Sequence, residues 1–341
     1  MDDGHRMIRA FVVAVLAAVA VPSGFLLLAG KAPLATWGAL LSYTLGTWVG
    51  FSDVLIHAIP LTLIGIGVAV AFRAGIFNLG GDGQLICGAV LAVALAPVLG
   101  GFEWLGLPIF LVAGFVGGGV IGGLVGWLRA RFGANEIIVT IMMNYVALQL
   151  LTWLIRGPLQ DPLRIFPRSY ALAIELQLPI VGGGTRLHAG IIAAALAAGL
   201  MQIVISRTTF GFRLAVLGES SGAAVYAGIN VARVTVGAMV LSGGFAGLAG
   251  AVEIAGVHQR LQDNFAGGFG LEAIAVALMA RLHPIAVPLT SVLFGVFYVG
   301  SGALQRQMSV PFPLVWIIEG VVILAYLGFV AAAARKAART A

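Results

Sequence analysis

The chain has 341 residues, 60% hydrophobic and only 9% charged, against roughly 25% charged in soluble domains. That composition places it in a membrane and excludes a soluble fold, and its net charge of +6 is spread over loops without forming a nucleic-acid patch. A single cysteine, Cys87, in an apolar run excludes an internal disulfide.

Apolar runs of about 17–25 residues are long enough to cross a hydrocarbon core of about 30 Å as helices. Arg6 and Arg9 precede the first such run, which continues through Leu28. Ala18-Val-Ala20 has the spacing of a signal-peptide cleavage site, but the length of the run favours an uncleaved first helix. Spanning helices are expected at Ile8–Gly30, Val54–Phe72, Gln84–Leu99, Leu107–Leu128, Glu136–Ile155 and Leu187–Ile205. They continue at Val231–Ala255, Leu271–Arg281 (a short one), Ala286–Leu304 and Leu314–Ala334. The segment Ala32–Asp53 reads as an interfacial or partly inserted helix. The fold class is therefore an all-α integral membrane protein, a polytopic bundle of about ten (8–10) transmembrane helices in one domain over residues 1–341. Simple alternation puts Arg6/Arg9, Arg129/Arg131, Arg207/Arg213 and Arg335/Lys336/Arg339 on one side, which the positive-inside rule makes cytoplasmic, with both termini. The loop 156–186 is then external.

Gly80-Gly-Asp-Gly83 opens the third of the first five expected helices, and Gly267-Gly-Phe-Gly270 the third of the second five. These helices point in opposite directions, so the pattern fits two inverted five-helix halves. Glycine-interrupted segments at matching places in such halves mark transport pathways. Around the first of them lie Asn78, Asp82 and Gln84, polar groups that are costly in lipid. They line a pathway or belong to a cytoplasmic turn. Glu136, Thr140 and Asn144, spaced i, i+4, i+8, share one helix face. For Thr140 and Asn144 two roles stand side by side, pathway lining and interhelical hydrogen bonding, while Glu136 fits a helix N-terminus at the interface. A proton-coupled carrier would use membrane acids such as Glu253, Glu272 and Glu319. His57, near Pro60, reads as a cap or kink residue, since it lacks metal-ligand partners at workable spacing.

Between two long apolar runs lies a polar stretch, Arg207–Val231. Ser221 can cap a short helix over Gly222–Ala227, with Gly228 taking the left-handed position after it. Its small residues and Tyr226 make a shape suited to docking, or an ordinary loop. Neither of the two lysines, Lys31 and Lys336, follows a glycine-rich phosphate loop, so the chain is not expected to hydrolyse ATP. No catalytic constellation, metal site or cofactor is expected.

Several stretches together resemble the membrane permeases of bacterial ABC importers for nucleosides and simple sugars. Ala74-Gly-Ile-Phe-Asn-Leu-Gly-Gly-Asp-Gly-Gln-Leu85 is similar to a family stretch that usually carries Glu where Asp82 stands. Asn135 through Tyr145, followed by Gly157-Pro-Leu159, resembles the nucleoside branch. Phe210-Gly-Phe-Arg213 through Gly218-Glu219 and Ala223–Val231 resembles the family's cytoplasmic segment, with Ser220-Ser221 replacing an Asn-containing pair. Gly256–Leu261, Gly270–Leu278 and Ala280–Pro284 match later segments. The resemblance implies a permease subunit in the bacterial inner membrane that pairs with a second, related permease and takes up nucleosides, with simple sugars as the alternative. It also implies an external substrate-binding protein and a separate cytoplasmic ABC ATPase. On this reading 207–231 is the coupling loop, with Arg213, Gly218, Glu219, Ala223, Ala224, Tyr226, Ala227 and Gly228 meeting the ATPase.

Overall fold

A computed structural model describes residues 19–28, 30–102 and 104–308, together with 317, 320, 321, 324 and 328. All regular elements among them are helical. Helix α1 covers Val19–Leu28 and meets α2 (Pro33–Thr44) at a bend of 115°. Then follow α3 (Trp48–Arg73), α4 (Gly81–Leu99), α5 (Gly106–Phe132) and α6 (Glu136–Ile155). The second part holds α7 (Gly190–Arg207), α8 (Thr209–Glu219), α9 (Ser221–Tyr226), α10 (Val231–Glu253), α11 (Phe269–Met279) and α12 (Val287–Met308).

Among the described residues seven helices are long and apolar enough to cross a membrane, or eight if α1 and α2 form one bent span. About ten were expected. The segment expected at Leu271–Arg281 became α11, whose 11 residues reach about 16 Å and cannot cross alone. The expected helix Leu314–Ala334, with Glu319 in it, lies outside the described residues but for a few scattered positions, as does the first part of Ile8–Gly30. Ala32–Asp53 splits into α2 and the start of α3.

The chain forms two compact units. Residues 1–55 and 292–341 make the first, where Leu26, Leu40, Val54, Val296 and Leu304 form the buried cluster. Residues 56–291 make the second, built on α4, α5 and α10. Glycine explains that packing. A Cβ at Gly88 of α4 would run into Gly247 of α10, and one at Gly122 of α5 would run into the Met239 carbonyl. Side chains there would force the backbones apart and forfeit the dispersion contacts that hold membrane helices together.

Candidate functional site

Just past the end of α3, Gly75 takes φ +70° and lets the Ile76 N–H return to the Ala71 carbonyl (3.1 Å). The chain then runs without helix from Ile76 to Gly80 before α4 begins. Bare backbone at membrane depth is tolerated only where protein satisfies it, and the polar face of α6 does so one turn at a time. The Phe77 N–H donates to Glu136 Oε1 (3.4 Å). The Leu79 N–H donates to Thr140 Oγ1 (3.3 Å), and Asn144 accepts the Gly83 N–H at Oδ1 (2.8 Å) while its Nδ2 donates to the Leu79 carbonyl (2.9 Å). Gly83 thus meets α6 eight residues above its start, about 12 Å along the axis. At its base Glu136 pairs with Arg129, and Asn135 caps α6 by accepting the Ile137 N–H (3.0 Å).

The polar residues around the break divide into two groups. Asn78 and Gln84, each 1% exposed, close on one another. Asn78 Nδ2 donates to Gln84 Oε1 (2.9 Å) and Ser242 Oγ (2.8 Å), while Asn78 Oδ1 accepts from Gln84 Nε2 (3.1 Å) and Gly80 N–H (2.9 Å). Both side-chain amides are turned into the protein, and Thr140 is fully buried. Asp82 and Asn144 instead line a cavity of about 180 Å³, joined by Tyr145, Asn264, Phe265 and Gly268. Of these, Tyr145 stood inside the Asn135–Tyr145 motif, whereas nothing in the local sequence singles out Ser242, Asn264 or Phe265.

The two glycine breaks meet beside this cavity. A Cβ at Gly81 would press on Gly270, and the Gly270 N–H at the start of α11 donates to Asp82 Oδ1 (2.7 Å). The carboxylate therefore lies at the beginnings of two helices, where their dipoles favour negative charge. Glu272 occupies the first turn of α11 with His57 Nε2 3.5 Å away and the His57 ring against Phe269. Glu253 ends α10 and faces His258 Nε2 at 3.4 Å. No metal-ligating group of three is found among the described residues.

Helix α10 continues into a π-turn, Ile254–His258, and the following strip forms the far wall of the cavity. The loop after α6 is bonded to that strip. Leu178 N–H donates to the Ala255 carbonyl (2.9 Å), Leu172 N–H to Gln259 (2.8 Å) and Ser169 N–H to Leu261 (2.9 Å). His188 lies in a slot between Gly190 and Gly256 and accepts the Gly190 N–H at Nδ1 (3.2 Å). Burial pushes its imidazole below the usual value, with Glu253 pulling the other way.

The stretch 207–231 forms two capped helices. Thr208 caps α8 by accepting the Gly211 N–H (3.3 Å). The cap of α9 is Ser220, one residue earlier than expected. Its extended backbone (φ −160°, ψ 122°) lets Oγ accept the Ala223 N–H (3.2 Å), so Ser221 becomes the first helical residue. Gly228 at φ +71° closes α9 as expected, with Gly228 N–H on Val225 and Ile229 N–H on the buried Ala224. Tyr226 is 96% exposed. Gly218 packs so closely on the Arg73 carbonyl that no Cβ fits, and Arg73 Nε donates to the Leu282 carbonyl (2.8 Å) beyond α11.

The described residues thus form a helical bundle in which the half-length α11 starts beside a mostly apolar cavity carrying Asp82 and Asn144, with the short capped helix α9 in the stretch 207–231. The chain belongs to the family described as branched-chain amino acid transport system / permease component, matched over residues 50–332. It is similar to the glucose ABC transporter permease protein of Haloferax volcanii, 35% identical over 92% of this chain and 85% of that one. It is also similar to the guanosine ABC transporter permease protein of Bacillus subtilis, at 34% over 92% and 90%. The nucleoside ABC transporter permease protein of Lactococcus lactis matches at 29% over 89% and 88%. The latter two organisms each have a second such protein, for nucleosides or guanosine, 26% identical to this chain. Members of this family are non-catalytic permease subunits of ABC transporters, which work with an ATPase.

Proposed function

We propose that this chain is the permease subunit of a nucleoside importer in the bacterial plasma membrane, with both termini cytoplasmic. The observation that carries the reading is the cavity where the two glycine breaks meet, walled by aromatic rings and a carboxylate. The guanosine and nucleoside relatives support the solute class. A simple sugar is the second reading, favoured by the Haloferax relative. Asp82 and Asn144 face the solute, while Asn78, Gln84 and Thr140 hold the break in shape.

Helix α9 and the end of α8 dock on the ATPase through Glu219, Ala223, Tyr226 and Ala227, with Arg213 on α8 beside them. Gly218 and Gly228 provide the close approach and the stop. The basis is a short, doubly capped helix that presents Tyr226 fully to solvent. Motion there reaches the cavity along Gly218, Arg73 and the strip Ile76–Gly80, so nucleotide-driven movement of the ATPase reshapes the site. The loop 156–186 is the external face where a binding protein delivers solute, because its backbone is bonded to the strip leading into the cavity wall. A related but different permease completes the pathway, in line with the paired relatives of Bacillus and Lactococcus.

Uptake of labelled nucleosides and sugars by cells carrying the whole system tests this. Wild-type chain is compared with Tyr226→Ala combined with Glu219→Lys. Nucleoside uptake that disappears in the variant at normal membrane levels is expected. Unaffected uptake would remove α9 from coupling, and uptake of sugar alone would replace the solute.

A further inference from the structure

The cavity contains an anion with an unfilled side. Asp82 Oδ1 accepts the Gly270 N–H at 2.7 Å, but among the described residues Oδ2 takes no hydrogen bond and the group has no ion pair. The Asn144 amide is occupied at both ends by Gly83 N–H and the Leu79 carbonyl, so it serves as fixed wall. The remaining polar side chains of the lining, Asn264 and Tyr145, belong to exposed residues. Tyr145 and Phe265 supply flat apolar faces.

A carboxylate oxygen only accepts hydrogen bonds while ionised, and hydrogen bonds to a charged group are stronger than neutral ones. An occupant must therefore bring donors on its edge and an apolar ring face, and a phosphorylated occupant would be repelled. Resting on the nucleoside reading above, we infer that Asp82 is the specificity-determining residue of this cavity. Its free oxygen accepts an adjacent pair of donors from a ring stacked on Tyr145. Two parts of a nucleoside carry such a pair, the vicinal hydroxyls of ribose and the neighbouring N–H groups of a guanine base.

Asp82→Asn separates these roles, because the amide oxygen can still accept from Gly270 while an NH₂ donor replaces the free oxygen. The test is uptake of labelled guanosine, 2′-deoxyguanosine and inosine by the complete importer, wild type against D82N. The same external binding protein serves both forms, so its own preference cancels in each wild-type-to-variant ratio. Guanosine uptake is expected to fall about 10-fold or more. A smaller fall for 2′-deoxyguanosine assigns the contact to ribose, and a smaller fall for inosine, which lacks the 2-amino group, assigns it to the base. An equal fall for all three, or none, overturns the inference. If D82N does not reach the membrane, Tyr145→Leu leaves the Asp82–Gly270 bond in place and is expected to lower uptake of all three by about 3-fold or more. Unchanged uptake in Y145L overturns the stacked placement. Failure of the wild-type system to take up any nucleoside overturns the transport reading and this inference with it.

Discussion

Asn78→Ala distinguishes a residue that shapes the broken segment from one that touches solute. In the native protein the Asn78 amide satisfies Gln84 at both ends, the Gly80 N–H and the Ser242 hydroxyl. Truncation removes these four bonds in a place that is 1% exposed and leaves no room for bulk water to replace them. Bonds between membrane helices measure about 0.6–1.7 kcal/mol each, and a stranded buried group costs about 1–3 kcal/mol. The sum falls at about 2–6 kcal/mol, allowing for partial repair between Gln84 and Ser242. Thermal unfolding of the purified protein in detergent, followed alongside its level in the membrane, reads this loss. The double variant Asn78→Leu with Gln84→Leu is expected to cost less than the sum of the single changes, since it removes both partners of one network. A protein that unfolds like wild type while uptake disappears would refute the structural role and return Asn78 to the pathway.

Gly218→Ala places a methyl against the Arg73 carbonyl and is expected to destabilise the α8 contact by about 1–3 kcal/mol, with ATP hydrolysis retained and solute uptake lost. Wild-type uptake in that variant would mean that force does not travel through Gly218. His188 is harder to protonate in its slot than in the unfolded chain. Its contribution to stability is present above the unfolded value of about 6.5 and is lost as pH falls through it. Melting temperature is therefore expected to drop between pH 7 and pH 5, and His188→Gln should flatten that slope. An unchanged slope would remove His188 as its source.

Parts of this structure can be read from local sequence, and the reason differs by element. Helix α6 was expected at Glu136–Ile155 and is found there, because Gly133 stops α5 in a left-handed turn and Asn135 caps the next helix. The break before α4 was visible because glycine and polar residues interrupt an apolar run. What those polar residues face was not visible. Asn78 finds Ser242 164 positions away, and Asp82 finds Gly270 188 positions away. Such pairings depend on how helices stack, which the local pattern does not encode. At the α9 cap two adjacent serines have the same chemistry, and only the backbone angles choose Ser220. The short apolar run of α11 counts toward the expected ten spans yet does not cross, because an apolar pattern does not show where a helix begins in depth.

The strip Ile76–Gly80 is pinned to α6 at three successive turns, through Glu136, Thr140 and Asn144, so it has lost the freedom of a linker. A hinge at this place would absorb a displacement in its own torsions. A pinned strip instead hands it on, as a pushrod does. On the coupling route proposed above, the stroke at Asp82 would be set by how far α6 itself can tilt, and mutations that loosen the three pins should let the ATPase turn over without moving solute. Slack, rather than lost affinity, would be the signature of damage along this segment.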